Sequence, residues 1–236
     1  MVENSYDSHR YFLMWLIALG VIVFLIFLGF DNGYLAVAFK NDQSHITKAI
    51  ASIFLLGSIH CGLRLKQLCI ELNSVISLEE KLLPVDRYAR KDLYDFSVTT
   101  KGISSDYLKK LSVDDTSQSH SSTINSATEV LIAQAKRGHE SAWFLVDLLI
   151  KLGLLGTIIG FILMLSSVSE ADTLDIQTMQ IVLKDMSGGM GTALYTTLLG
   201  LSTSLLLSGQ YLLMDKCADD LIERLLNITS LVSNKG

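Results

Sequence analysis

Two uncharged stretches near the C-terminal end constrain this chain more than any other feature. From Leu152 to Ser169, and again from Met186 to Met214, there is no Asp, Glu, Lys, Arg or His. A helix crosses a bilayer with about 20 predominantly apolar residues, in a range of roughly 17–25, so both stretches qualify as membrane spans. They are joined by VSEADTLDIQTMQIVLKD, which reads as an acidic connection. Both are rich in Gly, Ser and Thr, and the small residues fall at helical spacing. In the first run they are Gly153, Gly156, Thr157 and Gly160; in the second, Gly189, Ala193, Thr197, Gly200, Ser204 and Ser208. Steps of three and four put each set on one helical face. Small residues on one face let membrane helices approach closely, and hydroxyls there can hydrogen-bond across the contact.

Depth singles out two of these residues. If the first helix leaves the membrane near Val168 and the second enters near Ser187, Thr157 and Thr197 lie 11 and 10 residues from the same surface. At 1.5 Å per residue both are ~15 Å deep, close to the midplane. Two hydroxyls at one depth make a candidate polar ring in an otherwise apolar layer.

The segments GLLGTIIGF and ALYTTLLGL resemble the paired transmembrane signature of the MotA/TolQ/ExbB proton-channel family. The resemblance covers Trp143 to Asp215. It implies that Thr157 and Thr197 line an ion path. It also implies a single-span MotB/TolR/ExbD-type partner, present as a dimer and carrying one intramembrane aspartate, with five copies of a chain like this one around it. One departure stands out: Pro84 is the only proline, so the prolines of flagellar-stator hairpins are missing.

The remaining sequence builds a four-span, all-α integral membrane protein with long cytoplasmic helical extensions. Half of the 236 residues are hydrophobic and the mean hydropathy is +0.41. Residues 1–10 form a polar N-terminal head. Tyr11 to Phe30 is a charge-free run, too long and too poor in cleavage-site residues for a removed signal peptide. Ile46 to Leu65 is the second span, bounded by Lys48 and Arg64, and it contains His60, read as a structural histidine, buried or interfacial. Residues 11–66 are thus a first hairpin, with a loop at Asp31 to Gln43. Residues 67–140 form a helical domain, 141–214 the second hairpin, and 215–236 a terminal helix.

Within the 67–140 segment, Leu65, Leu68, Cys69, Leu72, Val75, Ile76 and Leu82 mark an amphipathic helix that Pro84 ends. Short helices are expected at Val85 to Phe96 and Ile103 to Leu111, then a loop at Ser112 to Ser126. From Ala127 a helix should run unbroken into the third span. A stripe at Ala218, Leu221, Ile222, Leu225 and Ile228 should pack on the extension of the second helix and the lead-in to the third. Charge sets orientation. Eleven Lys and Arg residues lie from Arg64 to Arg137, against two from Asp31 to Lys48 and one from Val168 to Asp185. The positive-inside rule places both termini and the 64–140 segment on the cytoplasmic side, and the family resemblance implies a bacterial inner membrane.

Chemistry is constrained by what is absent from the sequence. There is no phosphate loop, HExxH or nucleophile elbow, so nothing supports an enzyme. Cys61, Cys69 and Cys217 lack metal-ligand spacing, and neither a metal nor a cofactor is expected. A net charge of −5 gives no reason to expect nucleic acid. Asp147 and Lys151 are the only charges in the third span; at i and i+4 they can pair, or Asp147 can mark the cytoplasmic mouth of an ion path. A threonine hydroxyl does not titrate, so a partner must carry the charge past Thr157 and Thr197. The functional reading is a proton or sodium channel subunit of an ion-driven motor complex. The glycine faces are expected to hold a homopentamer together. The alternatives are a non-conducting scaffold or receptor, and a self-contained transporter using Asp147.

Overall fold

The computed structural model describes residues 6–33, 36, 38–39, 42, 44–82, 102–113, 120–136, 139–169 and 176–234. Among these the regular structure is all helical: α1 (Tyr6–Asp31), α2 (Ile46–Leu82), α3 (Ile103–Val113), α4 (His120–Ala135), α5 (His139–Ser169) and α6 (Ile176–Asn234). Stretches long and apolar enough to cross a membrane lie in Arg10–Asp31, Ile46–Glu79, Ser126–Val168 and Ile176–Ser230. Many large apolar side chains on these helices point outward, including Ile17, Phe24, Phe27 and Phe30 on α1, Phe161 and Ile162 on α5, and Leu194, Leu198 and Leu205 on α6. Exposed apolar surface of that extent needs an apolar surrounding. The chain is a multi-pass membrane protein.

Local chemistry sets the ends of the first hairpin. Gly33 has φ +76°, a left-handed conformation suited to glycine, and its N–H reaches back to Phe30 O at 3.0 Å. That is a helix stop satisfying an orphan carbonyl. The start of α2 is capped by Asp42. Its carboxylate accepts from the N–H of Thr47 at 2.8 Å, the N–H of Ser44 at 3.0 Å and the Ser44 hydroxyl at 2.6 Å. Burial works against the charge of Asp42, but these hydrogen bonds outweigh it and hold the carboxyl below the usual carboxylate range.

The chain divides into two compact units. One comprises Ile17–His60 and Ala142–Gln210 and contains the hairpin of α5 and α6 described below. Ser58 of α2 donates to Gln210 of α6 at 2.8 Å within it. The other comprises Met1–Leu16, Cys61–Ser141 and Tyr211–Gly236. Its core is the stripe expected from the sequence: Leu65, Leu68, Cys69, Leu72, Val75 and Ile76 of α2, with Ala218, Leu221, Ile222, Leu225 and Ile228 of α6, are buried. Tyr107 and Leu108 of α3 and Leu131 of α4 complete it. Long-range polar contacts tie these helices. Arg224 Nη1 donates to Glu79 Oε2 at 3.2 Å, Tyr107 Oη meets Thr229 Oγ1 at 3.1 Å, and His139 Nδ1 meets Asp215 Oδ1 at 2.8 Å. The terminal helix therefore packs on the extension of α2 and on the lead-in to α5, as its sequence stripe implied.

Three local expectations are corrected. The helix expected to run from Ala127 into the third span is interrupted: α4 stops at Ala135, Lys136 is in a turn, and the His139 N–H bonds to Lys136 O at 2.8 Å as α5 begins. Gly138 in the sequence is the helix-stopping residue type that this expectation passed over. Part of the segment expected as a Ser/Thr-rich loop is helical, because α4 begins at His120. Part of the acidic connection is helical as well. α6 starts at Ile176, where IQTMQIVLKD contains neither Gly nor Pro. The short helix expected at Val85 to Phe96 lies outside the described residues. His60 is exposed on α2, which removes the buried alternative of its reading and leaves the interfacial one.

Candidate functional site

Helices α5 and α6 run antiparallel with their backbones in contact, and glycine makes this possible. A β-carbon at Gly153 would lie 3.3 Å from Gly200 Cα and from Thr196 O. One at Gly160 would lie 2.6 Å from Ala193 N and 2.7 Å from Gly189 O, and one at Gly189 would lie 2.7 Å from Met164 N. One at Gly200 would lie 2.8 Å from Leu149 O. These are backbone atoms, which cannot swing aside. The hydrogen of glycine is the substituent that fits, and close approach is what holds helices together where lipid removes the hydrophobic drive.

These contacts place the small-residue faces. Gly153, Gly156, Gly160, Gly189 and Gly200 pack inside a single chain, with Ser204 also buried and Ala193 half-buried. Within one chain they serve the α5–α6 contact. The outward faces of the pair carry large side chains instead, among them Leu154, Ile158 and Phe161 on α5 and Leu194, Leu198 and Leu201 on α6.

The same contacts give the register. Gly153 lies against Gly200, Gly156 against Thr196, Gly160 against Ala193 and Gly189. By that register Thr157 lies opposite Leu194 and Tyr195, and Thr197 opposite Leu154 and Leu155, so the two are within about one helical turn, ~5 Å, of each other along the axis. Both predicted threonines are half-buried. The Thr157 hydroxyl donates to Leu154 O at 2.6 Å. The Thr197 hydroxyl has two carbonyls in reach, Ala193 O of its own helix at 3.0 Å and Gly153 O of α5 at 3.2 Å. The two threonines thus lie within about one turn of each other but do not bond to one another; each is tied to a backbone carbonyl.

That bonding decides what they can do. A hydroxyl has one proton to donate and two lone pairs to accept with. With the proton committed to a carbonyl, each threonine oxygen offers only lone pairs outward. Such an oxygen can accept from water, from an undissociated acid or from hydronium, or help to coordinate a cation. It does not take up a charge. No Asp, Glu or His of α5 or α6 replaces it at that level, since Leu152 to Ser169 and Met186 to Met214 contain none.

Asp147 and Lys151 form an i,i+4 ion pair on the exposed side of α5. Asp147 is ten residues, or ~15 Å of helix rise, from Thr157. The structure leaves it outside the α5–α6 contact.

Two buried threonines escaped the sequence reading. Thr192 and Thr196 are 1% and 0% exposed. Thr196 donates to Thr192 O at 2.9 Å and Ala193 O at 3.1 Å, and its side chain lies over Gly156. The signal was present, since Gly189, Ala193, Thr196 and Gly200 follow steps of four, three and four, but the neighbouring Thr197 has an equally good spacing. Cys61, Cys69 and Cys217 are buried free thiols. Among the described residues no group of His, Cys, Asp or Glu is arranged to hold a metal ion.

Comparison with known proteins adds the family. No curated protein and no solved structure matches the chain. The sequence profile of the MotA/TolQ/ExbB proton channel family matches residues 95–226, more than half of the chain, which therefore belongs to that family.

Proposed function

We propose that this chain, as a member of the MotA/TolQ/ExbB proton channel family, is the conducting subunit of an inner-membrane motor complex driven by the ion-motive force. The single observation that carries the reading is the Thr157 and Thr197 pair, within about one turn of each other on a glycine-packed helix hairpin with no Asp, Glu or His at that depth in α5 or α6. Lone pairs without a charge carrier make half of a path. The other half is proposed to be an aspartate on a single-span MotB/TolR/ExbD-type partner, present as a dimer inside five copies of this chain. Each proton or sodium ion crossing yields ~2.3 kcal/mol per 100 mV, available for rotation or force.

Orientation follows the charge bias, with both termini and the 64–140 segment facing the cytoplasm. Asp147 then lies on the cytoplasmic side of the threonines. Because the glycines are already used within the chain, the contacts between copies are proposed to run over the outward apolar faces of α5 and α6.

The test is pH-gradient dissipation in proteoliposomes holding this chain and its partner. Flux that requires both proteins supports the reading. Flux from this chain alone favours a self-contained transporter, and no flux from either preparation leaves a scaffold.

A further inference from the structure

We infer that Thr196 is a positioning residue for the ion path: seated over Gly156, it sets the axial register of α5 against α6 and so holds the Thr197 hydroxyl within reach of the Gly153 carbonyl. The inference rests on the conduction reading above.

Thr196 is fully buried, and its hydroxyl is directed at two carbonyls of its own helix, those of Thr192 and Ala193. Nothing remains for it to donate across the contact, so what it offers α5 is shape. That shape meets a single hole. A β-carbon at Gly156 would lie 2.2 Å from Thr196 Oγ1, 2.5 Å from its Cβ and 3.0 Å from its Cγ2, so both γ atoms and the β-carbon fill the hole. The bonds to Thr192 and Ala193 place the hydroxyl, and branching at Cβ limits the rotamers open to the side chain.

The neighbouring contacts lack this feature. Gly153 meets Gly200, and Gly160 meets Gly189 and Ala193, small residues against small residues. Surfaces of that kind permit close approach but resist sliding weakly. One branched side chain in one glycine-sized hole resists it strongly. A slide of one residue is about 1.5 Å. Thr197 Oγ1 is already 3.2 Å from Gly153 O, so such a slide carries it beyond hydrogen-bonding distance. Thr196 and Thr197 are adjacent on α6, and the first sets where the second points.

The experiment separates shape from hydroxyl at position 196. Thr196→Val keeps both γ atoms' bulk and removes the hydroxyl. Thr196→Ser keeps the hydroxyl and removes the methyl. Thr196→Ala removes both. Each is reconstituted with the partner and assayed for flux beside Thr197→Val, and the melting temperature of the detergent-solubilised chain is recorded. The expected result is near wild-type flux and melting for Thr196→Val. For Ala we expect a lower melting temperature and a flux loss of about tenfold or more with the complex still formed, as small misplacements of a reacting geometry can produce, and for Ser, which keeps Oγ1 and loses only the more distant methyl, a smaller loss of both. Adding Gly156→Ala to Thr196→Ala should recover part of what Gly156→Ala alone loses. Flux kept by Ser and lost by Val would overturn the inference, because the hydroxyl itself would then be used. Wild-type flux from all three would overturn it as well. If the wild type itself does not conduct, the conduction reading has failed; the melting order then decides the register claim, and equal melting of all four proteins overturns it.

Discussion

Helix α6 is held in two different ways along its length, and the contrast follows the solvent. From Gly189 to Gly200 it meets α5 through glycine, alanine and threonine, with hydroxyls bonded to backbone carbonyls. From Tyr211 to Ile228 it is buried through Tyr211, Met214, Leu221, Leu225 and Ile228, and linked by Arg224 to Glu79 and by Asp215 to His139. In lipid, burying a leucine gains little, because the tails are as apolar as the side chain. Close backbone packing does the work instead. In water the same leucine is worth roughly 1.5–3 kcal/mol when buried, and charged side chains find partners at the rim. One helix thus carries two sets of rules, and small residues mark the first while large apolar ones mark the second.

The comparison is broken most severely at the glycine contact. Gly160→Leu should prevent the α5–α6 pair from forming at all, since its β-carbon meets Ala193 N and Gly189 O. Overpacking costs typically 1–3 kcal/mol even where side chains can move, and backbone atoms here cannot. Size-exclusion profiles of the solubilised protein should show loss of the native species. Leu225→Ala should act on the other unit, at about 2–5 kcal/mol for a buried leucine truncated to alanine. Hydrogen exchange should then rise around residues 221–228 and stay unchanged from 189 to 200. Equal rises in both segments would show that the two rules are not separable.

A smaller effect is expected at the start of α2. Hydrogen bonds from Ser44 and Thr47 hold the Asp42 carboxyl below its ordinary range. A group whose folded pKa is lowered stabilises the folded state above its unfolded pKa, about 3.9 for Asp, and that stability is lost as pH falls through the lower folded value. Asp42→Ala should cost ~1 kcal/mol at neutral pH. It should also flatten the decline in melting temperature on acidification below about pH 4. An unchanged acid profile would count against the cap. Smallest of all is Lys136→Gln. Its pair with Asp219 has side chains 50% and 61% exposed, so the melting temperature should move by no more than ~0.5 kcal/mol implies.

These contrasts also explain what was readable in advance. The spans were legible because uncharged runs of this length have few other uses. The packed core at Leu221, Ile222 and Leu225 was legible because burial in water selects large apolar residues at helical spacing. The glycine faces were legible as faces, but not as to their partner. Spacing shows that something must come close to Gly156 and Gly160, and says nothing about whether it belongs to the same chain. An antiparallel hairpin supplies it locally. Thr196 was overlooked because neighbours on a helix are only 100° apart, and Thr196 and Thr197 both border the same stripe. The break between Ala135 and His139 was missed because the apolar pattern resumes on the far side of it.

The central claim is that the Thr157 and Thr197 hydroxyls carry the ion path. Valine at either position keeps the branched shape and deletes the oxygen. Losing one hydrogen bond in the membrane interior should cost assembly only ~1 kcal/mol, so the complex should persist. Asp147→Asn, on the exposed flank of α5, should lower flux by an intermediate amount if that carboxylate serves the cytoplasmic exit. The decisive measurement is the rate at which proteoliposomes containing this chain and its partner dissipate a pH gradient. We expect Thr157→Val and Thr197→Val each to abolish most of the flux with the complex intact. Wild-type flux from both, in complexes of unchanged size, would contradict the account and leave these hydroxyls as packing alone.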